Sequence, residues 1–260
     1  MIDFKKNGLV IQESDFGEND KLLIILTERY GKVPVIAKGA KSVRNRHMAC
    51  SQLFTYASFN LRKKGNYYYI TESDLIESYY EIRNDIAKVA LASFICDVVN
   101  DVCQEESCED VILKLTLNTL FAIAKDIKPL EFIRACFEMR IASELGFAPN
   151  IERCKKCGNK LTDNISLDII DGVAECEKCR DAIKLTIDPF LERGLEKPIA
   201  ILSESVSLAI QYISSCKQER YLSFTLDESE CDSFYNVCER FLLHQLERGF
   251  YSLDFYKTLL

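Results

Sequence analysis

Residues 29–71 read RYGKVPVIAKGAKSVRNRHMACSQLFTYASFNLRKKGNYYYIT, and this stretch decides how the first part of the chain is interpreted. It contains no aspartate or glutamate, although the whole chain of 260 residues has 40 acidic side chains. Its cations are Arg29, Lys32, Lys38, Lys41, Arg44, Arg46, Arg62, Lys63 and Lys64. Aromatic side chains are interleaved with these cations, and the combination is typical of a surface that binds nucleic acid. The alternative is a solvated basic loop beside an ordinary barrel core.

Short apolar runs within this stretch and before it predict β-strands. The candidate strands are residues 9–11, 22–26, 33–37, 53–61 and 67–75. In the fourth candidate, the odd-numbered side chains from Leu53 to Leu61 are expected to lie on one side of the strand. Five short strands in about 75 residues match the size of an OB-fold, a small barrel that commonly holds oligonucleotides. An SH3-like barrel fits the strand count nearly as well.

The OB-fold interpretation places the cations beside one groove, in the loop after the third strand and in the hairpin after the fourth. The acidic loop between the first two strands carries Asp15, Glu18 and Asp20, and it is expected to face away from that groove. Tyrosines alternate along the fifth strand, so one set is expected in the core while the other is a candidate for stacking on bases. The candidate nucleic-acid-binding residues are Lys32, Lys38, Lys41, Arg44, Arg46, Arg62, Lys63, Lys64, Tyr67 and Tyr69.

After the last strand the apolar period becomes helical. Helices are predicted from Asn84 or Asp85 to about Cys103, from Ser107 to Lys125, from Pro129 to Gly146, from Asp188 to Gly194, from Ser203 to Cys216 and from Asp227 to Gly249. The third is expected to present one apolar face, made of Leu130, Ile133, Phe137, Ile141 and Leu145. Asp227 and Glu230 are predicted to cap the last helix. The predicted fold is α+β, with a five-stranded OB-fold barrel at residues 1–80 and an α-helical domain at residues 81–260 that carries a zinc-ribbon insertion at residues 150–186.

Net charge also divides the chain. Residues 1–80 hold 12 lysines and arginines against 9 acids, whereas residues 81–260 hold 21 against 31. The larger part would repel phosphate at short range, so nucleic-acid binding is expected in the first domain alone.

Four of the twelve cysteines form two C-x-x-C knuckles separated by 18 residues. The candidate metal ligands are Cys154, Cys157, Cys176 and Cys179. Their spacing is typical of a structural site in which four thiolates bind one Zn²⁺ tetrahedrally. Gly158 is expected at positive φ, and residues 165–170 with Val173 are expected to form the hairpin between the knuckles. The alternatives are free thiols or a redox pair, and a nucleic-acid contact through the ribbon lysines is a secondary possibility.

No motif nominates an active site, so a protein without enzymatic activity is expected. Neither His47 nor His244 lies in the H-x-E arrangement of a zinc deaminase, and a phosphate-binding loop fails because Val35 occupies the position of its first glycine. No apolar run approaches the ~20 residues needed to cross a bilayer, and the first residues lack a signal-peptide pattern. A cytoplasmic protein without a membrane partner is therefore expected.

Short motifs follow one another in a specific order along nearly the whole chain. They are Gly8-Leu9-Val10, Phe16 to Leu22, Leu26-Thr27, Gly31-Lys32, Lys38 to Lys41, Leu145 to Pro149 leading into Cys154, and Arg240-Phe241 with Leu246. In this order and spacing they resemble the RecO family of bacterial recombination mediators. The resemblance implies an N-terminal OB-fold and a helical domain, with an inserted four-cysteine zinc ribbon in many members. It also places the residues from Lys38 to Arg46 at the position of the family's basic DNA-binding loop.

The resemblance further implies binding of single- and double-stranded DNA and annealing of complementary strands. It implies partnership with RecR and single-stranded DNA-binding protein to help load RecA at gaps, in association with the nucleoid. The C-terminal segment from Tyr251 to Asp254 departs from the family because it lacks basic character. The main alternative function is a nucleic-acid-processing enzyme with an accessory OB-fold and zinc ribbon, and a third is a scaffold that binds proteins alone.

Overall fold

The computed structural model describes residues 3–65, 67–104, 110–162, 164–184 and 198–260. The chain forms two compact units, of which the first joins Met1–Leu130 to Phe250–Leu260 and the second is Glu131–Gly249. The predicted boundary at residue 80 lies inside the first unit, where strands give way to helices. Separate folding of residues 1–80 stays a prediction. In the described part of the chain, no helix has the length and apolarity that crossing a bilayer requires.

The first unit contains a closed barrel of five strands. The strands are β1 (Asp3–Phe16), β2 (Asp20–Thr27), β3 (Gly31–Ala37), β4 (Tyr56–Lys64) and β5 (Tyr67–Glu77). They follow the order β1-β2-β3-β5-β4, and β4 closes the barrel on β1. β3 runs parallel to β5, whereas the other neighbouring pairs are antiparallel. The predicted OB-like barrel is therefore confirmed.

The barrel core follows from the alternation of side chains along each strand. Ala57, Phe59 and Leu61 are fully buried, so the side of β4 on which the sequence grouped them faces the core. The predicted alternation is wrong before Tyr56, where β4 begins, since Phe54 is buried and Leu53 is half-buried. Gly8 lies where β1 passes close to β2, and a Cβ atom at this position would approach the Cγ2 atom of Ile25 to 2.5 Å. The two strands therefore require glycine at this point of close approach.

Within the described residues, the predicted helices lie close to their expected positions. The predicted helix start at Ser107 and the predicted helix from Asp188 to Gly194 lie outside the described residues. They are α1 (Ile86–Val102), α2 (Asp110–Ala124), α3 (Leu130–Glu144), α4 (Glu177–Lys184), α5 (Glu204–Ser215), α6 (Glu228–Gln245) and α7 (Tyr251–Lys257). The sequence did not predict α4 or α7. The last of these returns to α1 in the first unit, where Ser252 Oγ donates to the Asp97 carboxylate at 2.6 Å and the rings of Phe250 and Phe94 lie 5.7 Å apart.

α3 is buried on every side, and its burial extends beyond the predicted apolar face, on which Ile133, Phe137 and Ile141 are fully buried. All residues from Phe132 to Ala142 are buried, including the charged ones. The guanidinium of Arg134 pairs with the carboxylates of Glu131 and Glu239 and donates to the carboxyl group of Glu138. Paired charges cost less to bury than isolated ones, and this pairing lets a helix with charged residues lie inside the second unit.

A small antiparallel sheet also belongs to the second unit. It consists of β6 (Ile165–Asp168), β7 (Val173–Glu175) and β8 (Ile199–Leu202), in the order β7-β6-β8. β6 and β7 form the hairpin predicted between the two knuckles, whereas β8 was not predicted. Within the predicted insertion of residues 150–186, residues 163, 185 and 186 lie outside the described part of the chain.

The predicted capping pair of α6 is also wrong. Asp227 occupies the N-cap position, but its side chain makes no capping hydrogen bond. Glu230 instead accepts a hydrogen bond from Ser203 Oγ at 2.8 Å. The same hydroxyl accepts from the backbone N–H of Val206 at 3.3 Å and caps α5, so the acid serves a neighbouring helix.

Candidate nucleic-acid interface and candidate metal centre

Four side chains of the β4–β5 hairpin share the outer surface of the barrel. Lys64 lies opposite Tyr67, and Arg62 lies opposite Tyr69. Opposed residues on antiparallel strands point to the same face, and so do residues two apart on one strand. Tyr68 points the other way and is only 7% exposed. Tyr67 and Tyr69 are therefore the two tyrosines of β5 that lie on the outer surface of the barrel.

Lys38 joins this surface from the loop that follows β3. Its ammonium nitrogen lies 5.4 Å from the centre of the Tyr69 ring, which is a cation–π arrangement. The loop reaches the hairpin because β3 pairs with β5, with Ile36 opposite Tyr69. We call the surface formed by Lys38, Arg62, Lys64, Tyr67 and Tyr69 the aromatic-basic face.

The basic loop after β3 is held in place by its own polar side chains. The side-chain amide of Asn45 donates to the backbone oxygen of Lys38 at 2.8 Å, and its oxygen accepts from the backbone N–H of His47 at 2.7 Å. Ser51 Oγ donates to the backbone oxygen of His47 at 2.7 Å. The cations of this loop are therefore carried on an ordered backbone.

The expectation that the acidic β1–β2 hairpin faces elsewhere is wrong. The Asp15 carboxylate lies 3.1 Å from Lys41 Nζ, which also donates to the backbone oxygen of Gly17 at 3.1 Å. The Asp20 carboxylate accepts from the backbone N–H of Gly39 at 2.7 Å. The antiparallel pairing of β2 with β3, in which Lys21 lies opposite Ala37, brings the β1–β2 turn beside the end of β3. The acids therefore attach the hairpin to the basic loop and partly neutralise Lys41.

Arg46 is attached to β5. Its Nη2 atom donates to the backbone oxygen of Thr71 at 2.7 Å, and its Nε atom donates to Nε2 of His47 at 3.0 Å. His47 is buried, and its Nδ1 atom lies 2.8 Å from Ser73 Oγ. Burial first, and the charge of Arg46 second, lower the pKa of His47. A neutral ring is therefore available to accept from Arg46 at pH 7.

The remaining candidate cations lie in different surroundings. Lys63 holds its ammonium 5.3 Å from the centre of the Tyr68 ring, at the end of the barrel core. Arg44 is exposed in the basic loop. Lys32 donates to the backbone oxygen of Asn100 near the end of α1, so it serves a helix terminus and lies apart from the aromatic-basic face.

The four candidate metal ligands form one cluster. The sulfur atoms of Cys154, Cys157, Cys176 and Cys179 all lie within 4.8 Å of one another. Those of Cys157 and Cys176 are 3.8 Å apart. A tetrahedron with metal–sulfur bonds of about 2.3 Å has edges of about 3.8 Å, so the cluster has the size and the donor atoms to hold one metal ion.

Local backbone geometry shapes both knuckles. Gly158 has a φ of 71°, as predicted, and its N–H donates to the backbone oxygen of Cys154 at 2.9 Å. The second knuckle runs into α4, where the N–H of Cys179 donates to the backbone oxygen of Cys176 at 3.1 Å. The β6–β7 hairpin joins the two knuckles and brings their thiols together.

Four neighbouring thiols cannot all ionise without a compensating cation. Burial alone would raise the pKa of the Cys154 thiol, but backbone hydrogen bonds at Cys157 and Cys176 outweigh it and lower the pKa to about 6. Hydrogen bonds with the thiols of Cys176 and Cys157 raise the pKa of Cys179 to about 12. A bound metal ion would stabilise all four thiolates together.

Of the four ribbon lysines, which are Lys155, Lys156, Lys160 and Lys178, the first two are partly neutralised by nearby acids. Lys155 Nζ lies 3.3 Å from the Asp171 carboxylate, and Lys156 Nζ lies 2.9 Å from the Glu175 carboxylate. These pairs reduce the positive charge that the ribbon presents to a phosphate backbone.

Sequence reasoning missed two residues of the candidate interface. Phe16, next to the acidic turn, is 40% exposed, and its ring lies 6.1 Å from the ring of Tyr67. An aromatic residue at the end of a polar hairpin is a sequence signal for an exposed ring. Its acidic neighbours, however, predict a surface that repels nucleic acid. His47, which holds Arg46, carries no sequence signal for this role.

The fold and the two sites define a class of protein, in which an OB-like barrel precedes helices that carry a four-cysteine metal-binding ribbon. Family models match both parts of this arrangement. Residues 1–79 match the model described as "Recombination protein O N terminal", and residues 83–189 match the one described as "Recombination protein O C terminal".

Relatives of the chain extend over its whole length. It is 34% identical to the DNA repair protein RecO of Acetivibrio thermocellus over 256 residues. This alignment covers 98% of this chain and 96% of the relative. It is 25% identical to the protein of the same name from Alkaliphilus metalliredigens, over 98% of this chain and 99% of that relative. It is also 25% identical to the one from Clostridium kluyveri, over 99% of this chain and 94% of that relative. The chain belongs to the RecO family, and its role lies in DNA repair and recombination.

Proposed function

We propose that this protein is a non-enzymatic mediator of DNA repair that binds single- and double-stranded DNA on its aromatic-basic face and anneals complementary strands. The observation that carries the proposal is the convergence of cations and outward tyrosines from the β3 loop and the β4–β5 hairpin on one surface. In OB-folds, the loops that join strands commonly hold oligonucleotides. The cationic surface belongs to a chain with a net charge of −7, so its charge is local.

The mechanism follows from the chemistry of this face. Lys38, Arg62 and Lys64 neutralise phosphates, and the released counterions give an affinity that depends on salt. Tyr67 and Tyr69 offer flat rings on which the bases of a single strand stack. Two strands held near the same cations repel each other less, and this favours pairing of complementary sequences.

The other candidate cations have secondary places in the proposal. Arg44 adds a cation at the edge of the face, while Lys63 strengthens the local positive potential. Lys41 and Arg46 already have acceptors within the protein, so their contribution to phosphate binding is smaller. Lys32 is not included, because its ammonium is bonded to α1.

Salt titration of DNA affinity tests the interface. For single strands, the slope of log affinity against log salt changes by about 0.7 for each phosphate contact. Replacing Lys38, Arg62 and Lys64 together by alanine is therefore expected to reduce the slope by about 2. The matched control replaces three exposed lysines on helices of the first unit, Lys114, Lys125 and Lys257, and keeps the slope of the unaltered protein. A slope that the first variant leaves unchanged would overturn the proposed interface.

The proposed protein partners are RecR and single-stranded DNA-binding protein, with RecA loading as the outcome and the cytoplasmic nucleoid as the location. This part rests on membership of the RecO family. Annealing of complementary strands coated with single-stranded DNA-binding protein is the test. The protein is expected to anneal these strands, and RecR is expected to change the rate. Failure to anneal either coated or bare strands would contradict the mediator role.

The metal in the proposal is one structural Zn²⁺ held by the four cysteines. Four thiolates fill a tetrahedral ion, which leaves no coordination position for water or substrate. The ion would hold together a ribbon that has little apolar core of its own. Elemental analysis is expected to give one zinc per chain.

A further inference from the structure

We infer that Phe16 is a base-stacking residue that, together with Tyr67, makes the aromatic-basic face discriminate single-stranded from duplex DNA. The inference deepens the proposed function and rests on it. It adds a third loop of the barrel, the β1–β2 hairpin, to the interface, and it assigns a role to a residue outside the basic stretch.

The placement of the Phe16 ring is the first observation. Phe16 ends β1, and 40% of its surface is exposed. Its ring centre lies 6.1 Å from that of Tyr67, with the two ring planes inclined at 56°. An aromatic ring exposed to this degree contributes little to the barrel core. It extends the row of outward rings formed by Tyr67 and Tyr69.

The position of the hairpin in the barrel is the second observation. In OB-folds, the loops between the first two strands and between the last two are elements that hold oligonucleotides. Phe16 comes from the first of these loops, and Arg62 and Lys64 come from the second. Contact between Phe16 and Tyr67 therefore joins the two loops on one surface.

The acids of the hairpin fix this arrangement before a ligand arrives. Asp15 is paired with Lys41 at 3.1 Å, and Asp20 accepts from the backbone of Gly39 at 2.7 Å. The backbone N–H of Lys41 also donates to the backbone oxygen of Asn19 at 3.2 Å. A hairpin that is already ordered loses less conformational entropy on binding, and this increases affinity. The carboxylates thus hold Phe16 beside the face and do not contact the DNA backbone.

Discrimination follows from what each form of DNA exposes. In a duplex, the faces of the bases are covered by their neighbours in the stack, so an aromatic side chain cannot stack on them without unstacking the helix. A single strand presents free base faces. Asp15 and the exposed Glu18 lie next to Phe16 in the sequence and repel phosphates, so a strand approaches Phe16 with its bases and keeps its backbone near the cations.

A fluorescent reporter tests the contact directly. The chain contains no tryptophan, so Phe16→Trp introduces a single indole at this position. Binding of oligothymidylate to this variant is expected to quench the indole emission, because stacked bases quench it. A duplex of the same length, added to a concentration that saturates the protein, is expected to leave the indole emission nearly unchanged. Equal quenching by both forms of DNA would overturn the inference.

Affinity measurements provide the second test. Phe16→Ala is expected to weaken binding of oligothymidylate roughly tenfold, which lies within the range reported for loss of one base–aromatic stack. The salt slope and the affinity for duplex are expected to stay the same, because no cation is removed. The control is Phe121→Ala, which removes a ring that is 48% exposed on α2. An alanine variant that binds single strands like the unaltered protein would contradict the role of Phe16.

The two proposals fail in different ways. If the unaltered protein binds DNA with the expected salt slope but is insensitive to Phe16, the stacking inference alone is wrong. If the unaltered protein shows no salt-dependent binding of DNA, the proposed function itself is wrong, and the stacking inference falls with it.

Discussion

The carboxylate of Asp15 lies 3.1 Å from the ammonium of Lys41, and this ion pair joins two loops that are distant in sequence. The lysine belongs to the basic stretch that points to a polyanion, yet only 26% of its side chain is exposed. A cation counted from the sequence can thus already be neutralised by the protein's own acid. The number of cations in the basic stretch therefore overstates the charge available to DNA.

Asp15→Asn is expected to strengthen DNA binding. The substitution releases Lys41 for phosphate and removes a negative charge beside the face. The hydrogen bonds from Gly39 to Asp20 and from the backbone of Lys41 to Asn19 still hold the hairpin in place. Affinity at low salt should therefore rise several-fold, and the salt slope should steepen. Exposed ion pairs are worth about 0–1 kcal/mol, so the free energy of unfolding should change little. Asp254→Asn on α7 makes the same change of net charge as a control. Unchanged affinity of the Asp15 variant would mean that Lys41 does not reach the DNA.

Cys154→Ser is expected to abolish stoichiometric metal binding and to destabilise the second unit by more than about 4 kcal/mol, since loss of a structural metal is among the largest effects of a single substitution. Elemental analysis and denaturant unfolding measure the two effects. Cys231→Ser, outside the cluster, is expected to retain the metal. A metal-free unaltered protein with the same stability as one supplied with zinc would contradict the structural role of the site.

Glu138 is expected to make stability depend on pH. Burial raises its pKa to about 8 from an ordinary value of 4.5, although the charge of Arg134 opposes the shift. Because the folded-state pKa is the higher one, the stabilising contribution of the protonated carboxyl is complete below pH 4.5 and is lost as the pH rises to about 8. Glu138→Gln keeps the shape of the side chain and removes the ionisation.

Denaturant unfolding from pH 5 to pH 8 checks this expectation. The free energy of unfolding of the unaltered protein, relative to Glu138→Gln, should fall as the pH rises over this range. Glu239→Gln is the control, because that side chain is 14% exposed, whereas Glu138 is fully buried. The contrary outcome is a difference in the free energy of unfolding between the unaltered protein and the Glu138 variant that stays the same at every pH. That result would show that Glu138 does not titrate in this range.

Gly8→Ala is expected to destabilise the barrel by about 1–3 kcal/mol, as other overpacked cores are. The added methyl group would meet Ile25 Cγ2 at 2.5 Å, so β1 and β2 would have to separate. Gly249→Ala is the matched control, since a Cβ atom at that position meets no other atom within 4 Å. Thermal unfolding of both variants gives the comparison, and equal midpoints would contradict the close approach of the strands.

Much of the architecture was predictable because it depends on short-range patterns. Strand alternation grouped Ala57, Phe59 and Leu61 on one side of β4, and the spacing of the C-x-x-C knuckles identified the four cysteines that form one cluster. The errors occurred where a residue's partner is distant in sequence. Periodicity treats charged residues as exposed, so it could not show that Arg134 would be buried with three carboxyl groups from α3 and α6. Glu230 similarly accepts a hydrogen bond from Ser203 and does not cap the N-terminus of its own helix.

The sequence by itself determined the five-strand barrel, the helices, the thiol cluster and an excess of positive charge in one stretch. These features depend on residue type and on spacing along the chain, and both can be read directly from the sequence. Tertiary structure alone decided which cations and rings share a surface. The pairing of β3 with β5 placed Lys38 over Tyr69, and the pairing of β2 with β3 placed Asp15 beside Lys41. The folded barrel also placed Phe16 beside Tyr67 and turned Lys32 toward α1. Such pairings are set by the register and order of the strands, because neighbours across a sheet are separated by many residues in the chain.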